Sequence, residues 1–100
     1  MSARSTGLGT QITANATGTI VEYDDAVRKV SIYNKGANSV YAQVNSSVAA
    51  LLAAMGDSEA VEVPAGASFV FDSLNPKGEI NSLVVACTSG QTSAISVGAY

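Results

Sequence analysis

The chain has 100 residues, 47% of them hydrophobic and only 13% charged, with a net charge of −3. That length suits one domain with one core of modest depth, since area scaling buries roughly 64% of the unfolded surface and leaves little room for an internal substrate cavity. The basic residues Arg4, Arg28, Lys29, Lys35 and Lys77 form no stripe, which argues against nucleic acid and against docking on anionic lipid.

Residues 1–18 are dominated by Ser, Thr, Gly and Ala, with Arg4 the single charge. Two readings of this segment stand: a disordered tail with too little apolar area to offset its ordering entropy, or an arm that becomes ordered on an adjacent subunit. Gln11-Ile12-Thr13 can form a short strand within it. The segment lacks the apolar core of a secretory signal, so assembly in the cytoplasm is expected. Asn15-Ala16-Thr17 and Asn45-Ser46-Ser47 fit the glycosylation pattern, but without such a signal they read as chance matches.

A β-sandwich domain is expected from residue 19 to residue 100. Gly18 to Tyr23 (GTIVEY) reads as a strand, and Asp24-Asp25 as a turn into Val27. Val27 to Asn45 (VRKVSIYNKGANSVYAQVN) reads as a β-hairpin, with Lys35 to Ser39 as its turn. Placing Tyr33 opposite Tyr41 puts Val30, Ile32, Ala42 and Val44 on an apolar face. Lys29, Ser31, Tyr33, Tyr41, Gln43 and Asn45 then share the other. The two tyrosines would make a cross-strand pair on the outer side. They either form a contact surface or pack under the chain's own helix or arm.

Ser46 to Met55 (SSVAALLAAM) predicts a short helix, capped by Ser46 or Ser47 and closed by Gly56. Its apolar run is far too short to span a bilayer. Val61-Glu62-Val63 and Ser68 to Asp72 alternate as strands around the turn Pro64 to Ala67. Val61, Val63, Phe69 and Phe71 can share a face, with the two phenylalanines as core anchors. Ser73 to Gly78 is a loop. Ile80 to Thr88 is apolar on both parities, which predicts either a central strand covered on both faces or one with a face in the core and the other in an interface. Placing Thr88 opposite Thr92 makes a second hairpin, with Gly90 at positive φ. The tally is six to eight short strands, one short helix and an N-terminal arm. The expected fold is all-β, a single small β-sandwich of jelly-roll or Ig-like form.

The chain has no histidine and no tryptophan, which removes Ser-His and Cys-His catalysis and most zinc sites. Glu22, Asp24, Asp25, Asp57, Glu59, Glu62, Asp72 and Glu79 fall in no acid–base motif. Neither Asp24-Asp25 nor Asp57-Ser58-Glu59 has the spacing of a calcium loop. The isolated glycines form no phosphate cradle. Cys87, the single cysteine, cannot form an intrachain disulfide and reads as a small buried side chain. No enzyme activity, cofactor or metal is therefore expected. A surface so poor in charge is weakly guarded against association, so neighbours are expected to cover much of it.

The stretches VSIYNKGANSVYAQVN, VEVPAGASFVFDS and INSLVVACTSGQTSAISVGAY resemble small virion proteins of tailed bacteriophages. The shared traits are a V-P-A-G turn before an aromatic strand, a Ser/Thr/Gly turn before the last strand, and a strand at the C-terminus. The resemblance spans about three quarters of the chain and is one of style rather than diagnostic motif. It implies a β-sandwich that decorates or cements a capsid, or forms part of a head fibre or tail. Its partners would be the major capsid protein or other virion proteins, with a homo-oligomer assembled in the host cytoplasm and located in the virion. The residues expected at contacts are Ile12, Thr13, Tyr33, Tyr41, Gln43 and Tyr100. The alternative is a carbohydrate- or receptor-binding module of a fibre or tail, with Tyr33 and Tyr41 as stacking platforms.

Overall fold

The computed structural model of the chain describes residues 10–55, 60–72 and 80–99. Eight strands and one helix run in the order β1 (Thr10–Asn15), β2 (Thr19–Val27), β3 (Lys29–Asn34), β4 (Val40–Val44), α1 (Val48–Ala54), β5 (Val61–Val63), β6 (Ser68–Asp72), β7 (Ile80–Ala86) and β8 (Thr92–Ala99). They build two four-stranded sheets: sheet A in the order β1-β8-β3-β6, and sheet B in the order β2-β7-β4-β5. Every pairing is antiparallel. This interleaved order is that of a jelly roll. Thr10–Asn15, within the segment read as a tail or arm, is an integral strand of sheet A that pairs along its length with β8.

Both expected hairpins are absent. β3 pairs with β6 and β8, whereas β4 pairs with β5 and β7 in the opposite sheet. Tyr33 lies opposite Ser68 and Ser96, and Tyr41 opposite Glu62 and Ala86. β7 and β8 likewise lie in different sheets. Gly90 keeps its expected left-handed φ of +80°, but the loop it serves crosses the sandwich. The face assignment survives because alternation fixes which side a residue takes, not which strand it pairs with. Val30, Ile32 and Ala42 are fully buried, and Val44 packs against the same cluster. Asp24 and Asp25 lie within β2 rather than in a turn, at a register break between Glu22 and Val27.

The core fills the space between the sheets with Val30, Ile32, Leu83, Val85, Ile95 and Val97 among others. A second cluster lies outside sheet B, where Leu51 and Ala54 of α1 pack on Val84 and Ala86 of β7. β7 is thus covered on both sides by the chain itself, the first of the two arrangements its apolar parities allow. Helix α1 starts where expected: the Ser47 hydroxyl accepts the Ala50 N–H at 3.1 Å. Cys87 is buried, with its Sγ 3.6 Å from the Ala14 carbonyl oxygen. The phenylalanines differ from expectation. Both sit on β6, the edge of sheet A, where Phe71 is half-buried and Phe69 remains 39% exposed.

One buried polar residue ties the two sheets together. Asn34 is fully buried at the end of β3. Its Nδ2 donates to the Asn38 carbonyl at 2.7 Å and to the Val63 carbonyl at 2.9 Å. Its Oδ1 accepts the Gly36 N–H at 3.0 Å and the Ser93 hydroxyl at 2.6 Å. All four hydrogen-bonding positions of the amide are used. The Asn38 amide adds a bond to the Thr92 carbonyl at 2.8 Å. The crossing from β3 to β4 is thereby fastened to β5 and to the start of β8. Gly36 lies so close to β8 that a Cβ there would strike the Ser93 hydroxyl and come within 2.7 Å of the Ala94 nitrogen.

Asn34→Ala is expected to cost on the order of 3 kcal/mol, because it orphans several buried groups at once. Gly36→Ala is expected to destabilise as well, since β8 backbone has to move. Urea unfolding of both variants checks this. A loss below about 0.5 kcal/mol in Asn34→Ala would remove Asn34 from its central place.

Candidate functional site

The outer faces of the two sheets differ. On sheet B the outward residues of β7 and β4 include Val84, Ala86, Tyr41 and Gln43, and α1 packs on the first three. Tyr41 is half-buried against the Leu51 cluster. Its sequence reading as a residue under the helix is the one observed. On sheet A the outward residues are Gln11, Thr13 and Asn15 of β1, and Thr92, Ala94, Ser96 and Gly98 of β8. Lys29, Ser31 and Tyr33 of β3 and Ser68, Val70 and Asp72 of β6 complete the face. Among the described residues no helix lies over it.

This face is broad and almost uncharged. Its one ion pair among the described residues, Lys29 Nζ to Asp72 Oδ2 at 3.7 Å, sits at one end and is solvent-exposed, so it contributes little. The middle strands carry Ser31, Ser96, Ala94 and Gly98, which keep the surface low. Two large hydrophobic side chains stand above it: Tyr33, 47% exposed, and Val70, 51% exposed. They are diagonal neighbours, because Tyr33 faces Ser68 and Val70 faces Ser31 across the β3–β6 pair.

The residues expected at contacts divide accordingly. Thr13 and Tyr33 share the open face of sheet A, on either side of β8. Ile12 points inward and packs on the core. Tyr41 and Gln43 lie on the other outer surface of the sandwich, so the expected Tyr33–Tyr41 pair does not exist. Tyr100 lies outside the described residues. The sequence reading missed Ala94, Ser96, Gly98 and Val70. The alternation of TSAISVGA, with only small side chains on one parity, is the signal that marks the β8 part of this face.

Other features bear on chemistry. Among the described residues no three His, Cys, Asp or Glu side chains gather as a metal site. A groove of about 310 Å³ opens between β4, β5 and β6, lined by Ala42, Gln43, Val44, Asn45, Ser46, Val61 and Phe71. Its polar rim is engaged in the fold: Gln43 Oε1 accepts from the Ser46 hydroxyl at 2.8 Å, and Asn45 Oδ1 accepts the Asn81 N–H at 2.7 Å. Tyr23 is buried in the core, and its hydroxyl finds no hydrogen-bond partner among the described residues. Burial pushes the Tyr23 phenol above its ordinary 10.0 and the Cys87 thiol above its ordinary 9.0.

Three outcomes follow from these placements. Tyr33→Ala is expected to leave stability within about 0.5 kcal/mol, while Tyr41→Ala costs about 2 kcal/mol of packing under α1. Equal losses in thermal or urea unfolding would contradict the asymmetry. Tyr23→Phe is expected to stabilise by about 1 kcal/mol, because it removes an orphaned hydroxyl. The folded state holds Tyr23 and Cys87 neutral, so the unfolded chain ionises first as pH rises. Their stabilisation is fully present below about pH 9 and is lost as pH climbs through the raised folded values. Urea midpoints should fall above that pH, and less so above about pH 10 in Tyr23→Phe. A flat profile up to about pH 11 would count against it.

Scanned against known protein families the chain matches none, and no curated protein matches it in sequence. Among solved structures, the crystal structure of PirA superposes with a TM-score of 0.60 at 14% identity, covering 98% of this chain and 98% of that one. The solution NMR structure of a de novo designed double-stranded β-helix matches with a TM-score of 0.44 at 11% identity, over 97% of this chain and 91% of that one. At such low identity the PirA likeness establishes the fold alone: a small all-β sandwich.

Proposed function

We propose that this chain is a non-enzymatic structural protein of a virus particle, a capsid decoration or cement protein that binds neighbouring subunits through the outer face of sheet A. The observation that carries this reading is the asymmetry of the sandwich. Helix α1 covers the β7–β4 centre of the outer face of sheet B and leaves Ile20 of the edge strand β2 42% exposed, whereas sheet A offers a nearly uncharged surface with no helix over it among the described residues and with Tyr33 and Val70 raised above it. Such a face is cheap to desolvate, because few charges must leave water. Its Ser, Ala and Gly side chains let a partner approach closely, and an exposed tyrosine is a favoured anchor at protein contacts.

The virion setting comes from the sequence resemblance, and the jelly roll adds support by analogy, since it builds capsid and lectin domains among others. In this reading the partners are the major capsid protein or other virion proteins, with no cofactor. The carbohydrate reading keeps one aromatic platform, Tyr33, since Tyr41 lies against α1.

Tyr33→Asp and Ser96→Lys are expected to weaken co-sedimentation with assembled capsids about tenfold or more, with the melting temperature unchanged. Undiminished co-sedimentation of both variants would sink the proposed face. Glycan binding abolished by Tyr33→Ala, with no capsid binding by the unaltered chain, would replace the proposal with the carbohydrate reading.

A further inference from the structure

We propose that the free edge of β6 is a self-pairing strand, joining sheet A to that of a second copy of this chain in an antiparallel two-fold dimer centred on Val70. This uses the rim of sheet A and stands independently of what covers its face.

The four sheet edges are not equally guarded. β2 is broken in register between Glu22 and Val27. β5 has three residues with Glu62 at its middle. β1 presents Gln11 and Thr13 outward and has no large apolar side chain on that side. β6 is SFVFD, without proline, lysine or a register break, and it exposes 39% of Phe69 and 51% of Val70. A regular apolar edge of this kind is a template for strand addition.

The backbone is set for it. The Asn34 N–H donates to the Ala67 carbonyl at 2.9 Å, and the Gly66 N–H donates to the Asn34 carbonyl at 2.8 Å. Counting onward by the antiparallel alternation, Phe69 and Phe71 bond to β3. The N–H and C=O groups of Ser68, Val70 and Asp72 therefore point away from β3, toward an edge that no described strand occupies.

The side chains are self-complementary in one register. With Val70 opposite the partner's Val70, Ser68 meets the partner's Asp72, whose carboxylate can accept the hydroxyl. Phe69 meets the partner's Phe71, extending the existing edge-to-face pair (5.0 Å, 72°) into a cluster of four rings. Centring the pair on Asp72 instead opposes two like charges. Centring it on Ser68 leaves Val70 facing the Pro64–Ala67 turn.

The test uses the full chain. Centred pairing places the two Val70 Cα atoms about 5.5 Å apart, within the range a disulfide spans. It places the two Ser68 Cα atoms roughly 14 Å apart. Under mild oxidation Val70→Cys should form a symmetric cross-linked dimer at least about tenfold faster than Ser68→Cys, while the buried Cys87 contributes to neither. Sedimentation should give twice the 10.1 kDa monomer mass for the unaltered chain. Val70→Lys should be monomeric, and an equimolar mixture of Val70→Lys and Val70→Glu should dimerise again. Equal cross-linking rates, a monomer at all concentrations, or an oligomer unaltered in Val70→Lys would each overturn the proposal.

Discussion

The structure depends on how one buried amide is satisfied. In a jelly roll almost every connection carries the chain from one sheet to the other, and here only the β4–α1–β5 connection stays within a sheet. Apolar packing between the sheets is strong but undirected. Something must fix which strand end meets which. Asn34 does this at the end of β3, where its amide reaches β5, β8 and the 35–39 crossing together. A half-satisfied amide at this depth would be costly, so the four bonds form together or the arrangement loses its advantage. Gly36 belongs to the same device, since only a residue without a Cβ lets the crossing lie against β8.

With the strand ends tied, the two sheets can differ on their outer surfaces. Leu51 and Ala54 turn the outside of sheet B into a second core. Sheet A has no such cover among the described residues, and the outward side of its central strand β8 carries only Thr92, Ala94, Ser96 and Gly98. One tyrosine falls on each side. Tyr41 contributes to packing, and Tyr33 stands in solvent. The same residue type on the outward side of two strands thus has two unrelated physical roles.

Much of this was legible in the sequence, and the gaps have physical causes. Alternation located the strands and sorted Val30, Ile32, Ala42 and Val44 to the inside. The double apolar parity of β7 announced a strand covered on both faces, by the chain itself or by an interface, and the pair Ser46-Ser47 announced the helix start. Pairing was not legible. Lys35 to Ser39 has the residues of a hairpin turn, but the same flexible, hydrogen-bonding residues serve a crossing equally well. The cue against a hairpin was Asn34 itself, a polar residue on the inward parity of an apolar strand. For the phenylalanines, parity gave the correct side of the strand. It could not show that β6 is an edge, where an inward side chain can still meet water. For the functional surface, composition indicated uncharged contact, but only the three-dimensional strand order brought Thr13, Ser96, Tyr33 and Val70 onto one plane.

The interleaving of strands also bears on when the protein can form. In sheet A, β8 lies between β1 and β3, and no two strands adjacent in sequence are paired. On a ribosome, β1 and β3 emerge long before the strand that joins them. Until Thr92–Ala99 is made, Ile12 lacks its strand partner, and Val30 and Ile32 have β6 on one side only. Such long-range pairing folds slowly and leaves apolar strands uncovered in the interim. A nascent chain this poor in charge has little electrostatic repulsion to keep copies apart during that wait. The topology therefore acts as a completeness check, in which only a chain synthesised through β8 can close sheet A.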